Sequence, residues 1–390
     1  MAITISGSGI TSANIADGTI TTDDILASDV KNLKSGRKNL IINGGMDVWQ
    51  RATSATISDG SNEGYNTVDR FSMVFGGAAG GAVTWNKSTD VPANQGFGSS
   101  LKVDCTTTFT PDGAKEVSIS TAIEGQDVQS FAYGNASPKT VTLSFWFKTN
   151  KVGVYSVYLE HSGTGTRRSR YSFTPASSGV WEKITINVTG DSVAVPNTST
   201  DKFKMTIFLA NVPSYSSSAT TVAWGTAVNL TNSSQVNFMD STSNELYLTG
   251  VQLELGSVAT DFEHRSYGEE LALCQRYYTV VPYYSESSVV NSVFGHAKTV
   301  NRYTWTVTQF PVTMRTVPTM GFISGALGSG STTADGKIRY AETFGGSGGS
   351  DLVPYGNTIH EDSFCIKTYN EHNATTWYGI QAGYTADAEL

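Results

Sequence analysis

The sequence carries little charge. Asp, Glu, Lys and Arg make up 15% of its 390 residues, and the acids outnumber the bases to a net charge of −8. Without an excess of basic residues it offers no surface to neutralise phosphates, which argues against a nucleic-acid partner. Cysteine is scarce: Cys105, Cys274 and Cys365 are far apart and odd in number, so no disulfide framework is expected. No run approaches the roughly twenty apolar residues of a membrane helix, and membrane insertion is not expected. The N-terminal stretch lacks both a charged n-region and an apolar h-region, an expectation against Sec export and for synthesis in a reducing cytoplasm. Catalytic signatures are missing as well. There is no HExxH, G-x-S-x-G, Walker loop or dinucleotide fingerprint, and His161, His264, His296, His360 and His372 show no zinc spacing. The glycine run "GGAAGGA" (76–82) lacks the lysine and following helix of a phosphate loop and reads as a turn.

What the chain does have is aromatic and β-branched residues. Aromatics reach 11%, with 17 Phe and 18 Tyr, enough to build packed cores on pleated surfaces. From Asn39 onward apolar residues alternate. "TVTLSFWFKTN" puts Val141, Leu143, Phe145 and Phe147 on one face of a strand. "GVYSVYLEHSGTGTRRSRYSF" reads as a hairpin around a glycine-rich turn, and "VWEKITINVTGD", "KFKMTIFLANV" and "NELYLTGVQLEL" continue the series. Only "SYGEELALCQRYY" (266–278) reads as a helix, with Glu269 and Glu270 where the N-terminal dipole favours acids. Strand texture resumes in "RYTWTVTQFPVTMRTVPTM", and Phe364 and Ile366 of "DSFCIKTYN" read as strand core rather than as neighbours of a His360–Cys365–His372 metal site. The expected fold is all-β. An N-terminal segment (1–36) is followed by an antiparallel sandwich or barrel (37–265), a connecting helix (266–279) and a smaller β domain (280–390).

The N-terminal segment has its own period. Ile5, Ile10, Ile15, Ile20, Ile25 and Val30 recur at every fifth residue, a spacing that suits neither helix nor half-buried strand. A square solenoid coil would need about three repeats for stability, and an Asp17-Gly18 hairpin accounts only for the pair Ile15 and Ile20. An axis shared between copies accounts for all six, because equivalent isoleucines from each chain then form layers that one chain cannot make alone.

"NLIINGGMDVWQRAT" (39–53), "VDRFSM" (68–73), "LTGVQLELGSVATDFEHRSYGEELALCQRYY" (248–278), "FPVTMRTVPT" (310–319) and the terminal "ADAEL" together resemble bacteriophage tail-fibre and related virion appendage proteins. "ANIADGTIT" is similar to the short stalk segments before such domains, and "SSGVWEKITINVTGD" (177–191) resembles the tryptophan-bearing strand of carbohydrate-binding jelly rolls. The resemblance implies a homotrimeric fibre of the virion whose middle domain (37–265) is a jelly-roll β-sandwich like those of carbohydrate-binding modules. Its N-terminus would attach to another virion protein, such as a tail adaptor or capsid vertex protein, and its distal domain would face the host.

Such a protein needs no catalysis. A depolymerase would need two carboxylates astride a sugar, and the sequence does not pair Asp47, Asp69, Glu160 or Glu254. A non-catalytic carbohydrate-binding module protein is the other alternative. Glycan binding calls for exposed aromatic faces. In the distal domain Tyr283, Tyr284, Trp305, Trp377 and Tyr378 are the candidates; adjacent Tyr283 and Tyr284 cannot both face a core if they lie in a strand. No cofactor is expected. Calcium, the conceivable ligand of a jelly roll, has no motif to hold it.

Overall fold

The structure is a computed structural model that describes residues 37–58, 63–76, 81–163, 165–200, 202–281, 292–294, 303–323, 339–342, 353–369, 378–381 and 383–389. The isoleucine ladder, Ile5 to Val30, lies outside these residues, as do Tyr283, Tyr284, Trp377 and His372. In chain order the first strands are β1 (Ser54–Ser58), β2 (Ser72–Gly76), β3 (Ala82–Ser88), β4 (Ser100–Thr107), β5 (Glu116–Glu124), β6 (Val141–Thr149) and β7 (Tyr155–Gly163). They continue with β8 (Gly165–Phe173), β9 (Glu182–Val188), β10 (Lys202–Phe208), β11 (Ser216–Ser217), β12 (Thr221–Gly225), β13 (Thr231–Asn232) and β14 (Glu245–Leu255). Two antiparallel six-stranded sheets face each other, β1-β3-β4-β14-β6-β9 and β12-β8-β7-β10-β5-β2. This is an all-β jelly-roll sandwich: the alternation predicts its antiparallel strands and the resemblance its jelly roll.

Its core follows from the period of two. Val141, Leu143, Phe145 and Phe147 are all fully buried, against Tyr155, Phe173 and Phe203 of the facing sheet. Phe145, Phe147, Tyr155 and Phe173 meet mostly edge to face at 5.2–5.6 Å between centroids, the preferred geometry of aromatic pairs. The glycine-rich turn closes β7 on β8 in continuous register from Tyr155↔Phe173 to Gly163↔Gly165.

The helix α1 (Tyr267–Gln275) forms where expected, with the Ser266 side chain accepting from the Glu269 amide. Glu270 does more than complement a dipole: it is buried, accepts from the Asn43 amide at 2.5 Å and pairs with Arg265 at 3.2 Å. Beyond the helix run β15 (Tyr278–Val281), β16 (Ser292–Phe294), β17 (Tyr303–Gln309), β18 (Thr319–Ile323), β19 (Arg339–Glu342), β20 (Val353–Ile359), β21 (Ser363–Tyr369), β22 (Tyr378–Gln381) and β23 (Gly383–Asp387). They form three small sheets, with Phe310, Met314, Phe364 and Tyr384 in a separate core.

The motif "NGGMDVWQR" has a physical explanation. Asn43, at φ 58°, accepts from the Asp47 and Val48 amides and donates to the Val48 and Asp69 carbonyls, so its side chain stands in for a turn of backbone. Gly44 passes so close to β14 that a methyl there would lie 2.0 Å from the Val251 carbonyl oxygen. The other sequence blocks meet this one at a buried charge hub. Arg51 bridges Asp69 (3.3 Å), Asp387 (3.2 Å) and Glu389 (3.4 Å). Arg70, 1% exposed, pairs with Glu389, donates to the Ala122 carbonyl at 2.6 Å and lies 3.4 Å over the Tyr277 ring. Arg276 and Tyr277 both donate to Glu124, and Arg315 donates to the Ala388 and Glu389 carbonyls. The hub fastens the last described residues onto the sandwich.

Candidate functional site

The outer face of the sheet containing β6 carries a row of side chains in register. Ser54 pairs with Asn86, Asn86 with Lys102, Lys102 with Tyr247, and Tyr247 with Lys148, so five neighbouring strands each give one residue. Trp181 precedes Glu182, which pairs with Phe147, and so extends the row to the leading edge of β9. One step along, Trp146 stands opposite Thr249 and Lys183. The alternation that buries Phe145 and Phe147 is what turns Trp146 outward, where it is half-buried.

Electrostatics holds this face rigid. The Tyr247 ring, 7% exposed, lies 6.1 Å from the Trp181 ring, with the ammonium groups of Lys148 and Lys102 at 4.7 and 5.6 Å from its centroid. Asp90 accepts from the Trp181 indole at 2.9 Å and from Lys148. Partial burial pushes the Asp90 carboxyl upward, but the bonds from Lys148 and Trp181 win and hold it below its ordinary value. Lys102 is tied to Asp104 at 2.9 Å and Glu245 at 3.1 Å. With both partners fixed, Trp181 presents its ring without rotamer freedom.

A bulge continues the aromatic stripe. Register in β14 shifts between Thr249 and Gln252, and Gly250 adopts φ +63° there. A methyl on Gly250 would lie 2.6 Å from Phe97 Cζ and 2.9 Å from Trp146 Cδ1, so glycine is what lets both rings settle over the strand. Phe97, Phe262 and His264 then form a three-ring cluster with centroids 4.9–5.1 Å apart. His264 is exposed, and its Nε2 meets the Gln95 carbonyl at 2.9 Å.

Beside this cluster lies Asp47. Three of the four acids considered in the sequence have structural partners: Asp69 sits in the hub, Glu160 pairs with Arg168 at 3.1 Å, and Glu254 is buried and bonded to Gln252 and Thr260. The Asp47 carboxylate, half-buried, has no hydrogen-bond or ion-pair partner among the described residues. Burial pushes its pKa up, Glu270 adds to the rise, and Lys87 and His264 oppose it.

The distal aromatic side chains lie outside what the structure describes. Trp305 lies in β17 and Tyr378 in β22, and their side chains fall outside the description along with Tyr283, Tyr284 and Trp377. Among the described residues no group of three His, Cys, Asp or Glu could hold a metal. Among the described residues no helix is long and apolar enough to cross a membrane.

No family model matches the chain, and no curated protein does. Among solved structures it is similar to the enzymatically active domain of bacteriophage CBA120 tailspike protein 4, at 9% identity and a TM-score of 0.28, over 56% of this chain and 21% of that one. It is also similar to a family 11 carbohydrate-binding module from Clostridium thermocellum, in complex with a mixed-linked tetrasaccharide, at 13% identity and a TM-score of 0.26, over 55% and 99%. A third is a putative sugar binding protein from Bacteroides thetaiotaomicron, at 10% identity and a TM-score of 0.31, over 56% and 100%. The chain thus spans about a fifth of the tailspike domain.

Proposed function

We propose that this chain is the subunit of a bacteriophage virion appendage whose sandwich holds a host-surface glycan on its outer aromatic face. The observation that carries the glycan reading is the stripe Trp181, Trp146, Phe97, Phe262, supported by the buried Tyr247 ring and fixed in place by Asp90 and by the Gly250 bulge. Pyranose rings stack on such faces through their C–H edges, while nearby amide, lysine and carboxylate groups read the hydroxyls. The appendage reading rests on the sequence resemblance. It carries with it a homotrimer built around the Ile5 to Val30 ladder, attachment to another virion protein through residues 1–36, and a distal domain at 280–390.

Two measurements test this. Trp146→Ala in the full chain should weaken glycan binding and competition with phage adsorption by about tenfold or more, roughly 1.4 kcal/mol per decade, with the fold retained. Equal competition by Trp146→Ala and wild type would remove the glycan face; a loss in Tyr283→Ala/Tyr284→Ala instead would move recognition to the distal domain. Light scattering of the intact chain should give three times the 41.6 kDa subunit mass. A monomer at micromolar concentration would overturn the fibre and leave a carbohydrate-binding module. In the trimer, Ile15→Asp with Ile20→Asp should promote dissociation, since each axial layer would then hold three like charges.

A further inference from the structure

The floor around Asp47 is made of glycines. A methyl on Gly45 would lie 2.8 Å from Asp47 Oδ2 and 3.6 Å from Phe262 Cε1, and one on Gly98 would lie 3.7 Å from Asp47 Oδ1. A methyl on Gly96 would meet the His264 ring at 3.1 Å. Backbone without side chains therefore opens a path to a carboxylate beside three packed rings. We propose that Asp47 is the polar anchor of the glycan face, accepting hydrogen bonds from adjacent hydroxyls of a neutral pyranose stacked on the Phe97–Phe262–His264 cluster. The inference rests on the reading of that face as a glycan site, and it adds a ligand class.

Three features carry it. A carboxylate with free acceptor positions is the group best suited to two neighbouring hydroxyl donors, and such charge-assisted bonds are stronger than neutral ones. The aromatic cluster supplies the stacking partner on the same side of the chain, through Phe262, which borders the space over Gly45. An anionic sugar is excluded because its charge would be set against Asp47 with Glu270 behind it, while Lys102 and Lys148 are already tied to Asp104, Glu245 and Asp90. Lys183, opposite Trp146, donates to the Thr260 carbonyl at 3.0 Å, and Lys87 lies over the Trp49 ring at 6.0 Å.

The test uses the full chain on an immobilised panel of neutral gluco-, manno- and galacto-configured tetrasaccharides with the matching uronates. Wild type should retain at least one neutral member and none of the uronates more strongly. Asp47→Asn should weaken that binding about tenfold, as for the loss of one charged hydrogen-bond acceptor. Gly98→Ala, which keeps the charge but sets a methyl in ordinary contact with Oδ1, should weaken it too. A structural role for Asp47 would lower stability on substitution; here Asp47→Asn should unfold at the same temperature as wild type or higher, because an ionised carboxylate without partners is relieved of its burial cost. Wild-type binding by Asp47→Asn, or preference for a uronate, overturns the anchor. If Trp146→Ala abolishes binding while Asp47→Asn does not, the face stands and the anchor falls. If wild type holds no neutral member, both fall.

Discussion

Replacing Glu389 with glutamine will lower the unfolding free energy by roughly 3–5 kcal/mol, the usual cost of leaving a buried charge without its partner. The stranded group is Arg70. Its side chain is 1% exposed, and Glu389 is its only carboxylate partner among the described residues. The remaining contacts, the Ala122 carbonyl and the Tyr277 face at 3.4 Å, accept hydrogen bonds or polarise but do not neutralise. Glutamine keeps the shape and can still accept one bond, so the loss reports charge rather than volume. A double replacement, Arg70→Met with Glu389→Leu, should recover much of the loss, because a buried ion pair contributes little beyond what well-packed apolar side chains of similar size supply. Denaturant midpoints of the three variants decide the matter. An unchanged midpoint for Glu389→Gln would mean that the C-terminal segment is not locked in solution, and the hub would lose its role as the fastening between sandwich and tail.

That hub also explains what could and could not be read from the sequence. The blocks around Asn43, Asp69, Glu270, Arg276 and Glu389 stand out as family-like motifs, yet their reason is visible only in three dimensions. Arg51 meets Glu389 across 338 positions, and Arg276 meets Glu124 across 152. Nothing in a linear pattern pairs charges at such separations. Periodicity, by contrast, is local. The residues expected to line the core in β6 do so, and the hairpin of β7 and β8 forms around its glycines. The same period held the outward position of Trp146, since a strand that buries Phe145 and Phe147 must present the residue between them. Trp181 was marked by its resemblance to a tryptophan-bearing strand, but its fixing by Asp90 depends on a loop that folds back from β3. Asp47 could be noted only as one acid among several. What distinguishes it is that the others find partners.

Asp69 sets the pH at which the protein is most stable. Burial pushes its carboxyl up to about 7, against the bonds from Gln50 and Arg51, and Glu389 adds to the rise. Burial is the main cause, and Arg51 offsets only part of it because it also serves Asp387 and Glu389. A proton on Asp69 removes the cost of burying its charge. In the unfolded chain the same group titrates at 3.8. The native state therefore binds the extra proton between pH 4 and 7, and stability falls as pH rises through this window, by up to about 4 kcal/mol at 1.36 kcal/mol per pH unit. Below pH 4 the sign reverses for other groups. Asp90, Asp191 and Asp240 are hydrogen-bonded and held below their ordinary values, so their contribution is present above that value and lost as they protonate. The two trends place the maximum near pH 4. Unfolding free energies measured from pH 4 to 8 should decline toward the alkaline end in wild type, whereas Asp69→Asn should be nearly flat there and more stable than wild type at pH 8. A wild-type profile that rises from pH 5 to 8 would show that Arg51 holds Asp69 ionised, and the hub would then be a satisfied ion-pair network rather than one that takes up a proton.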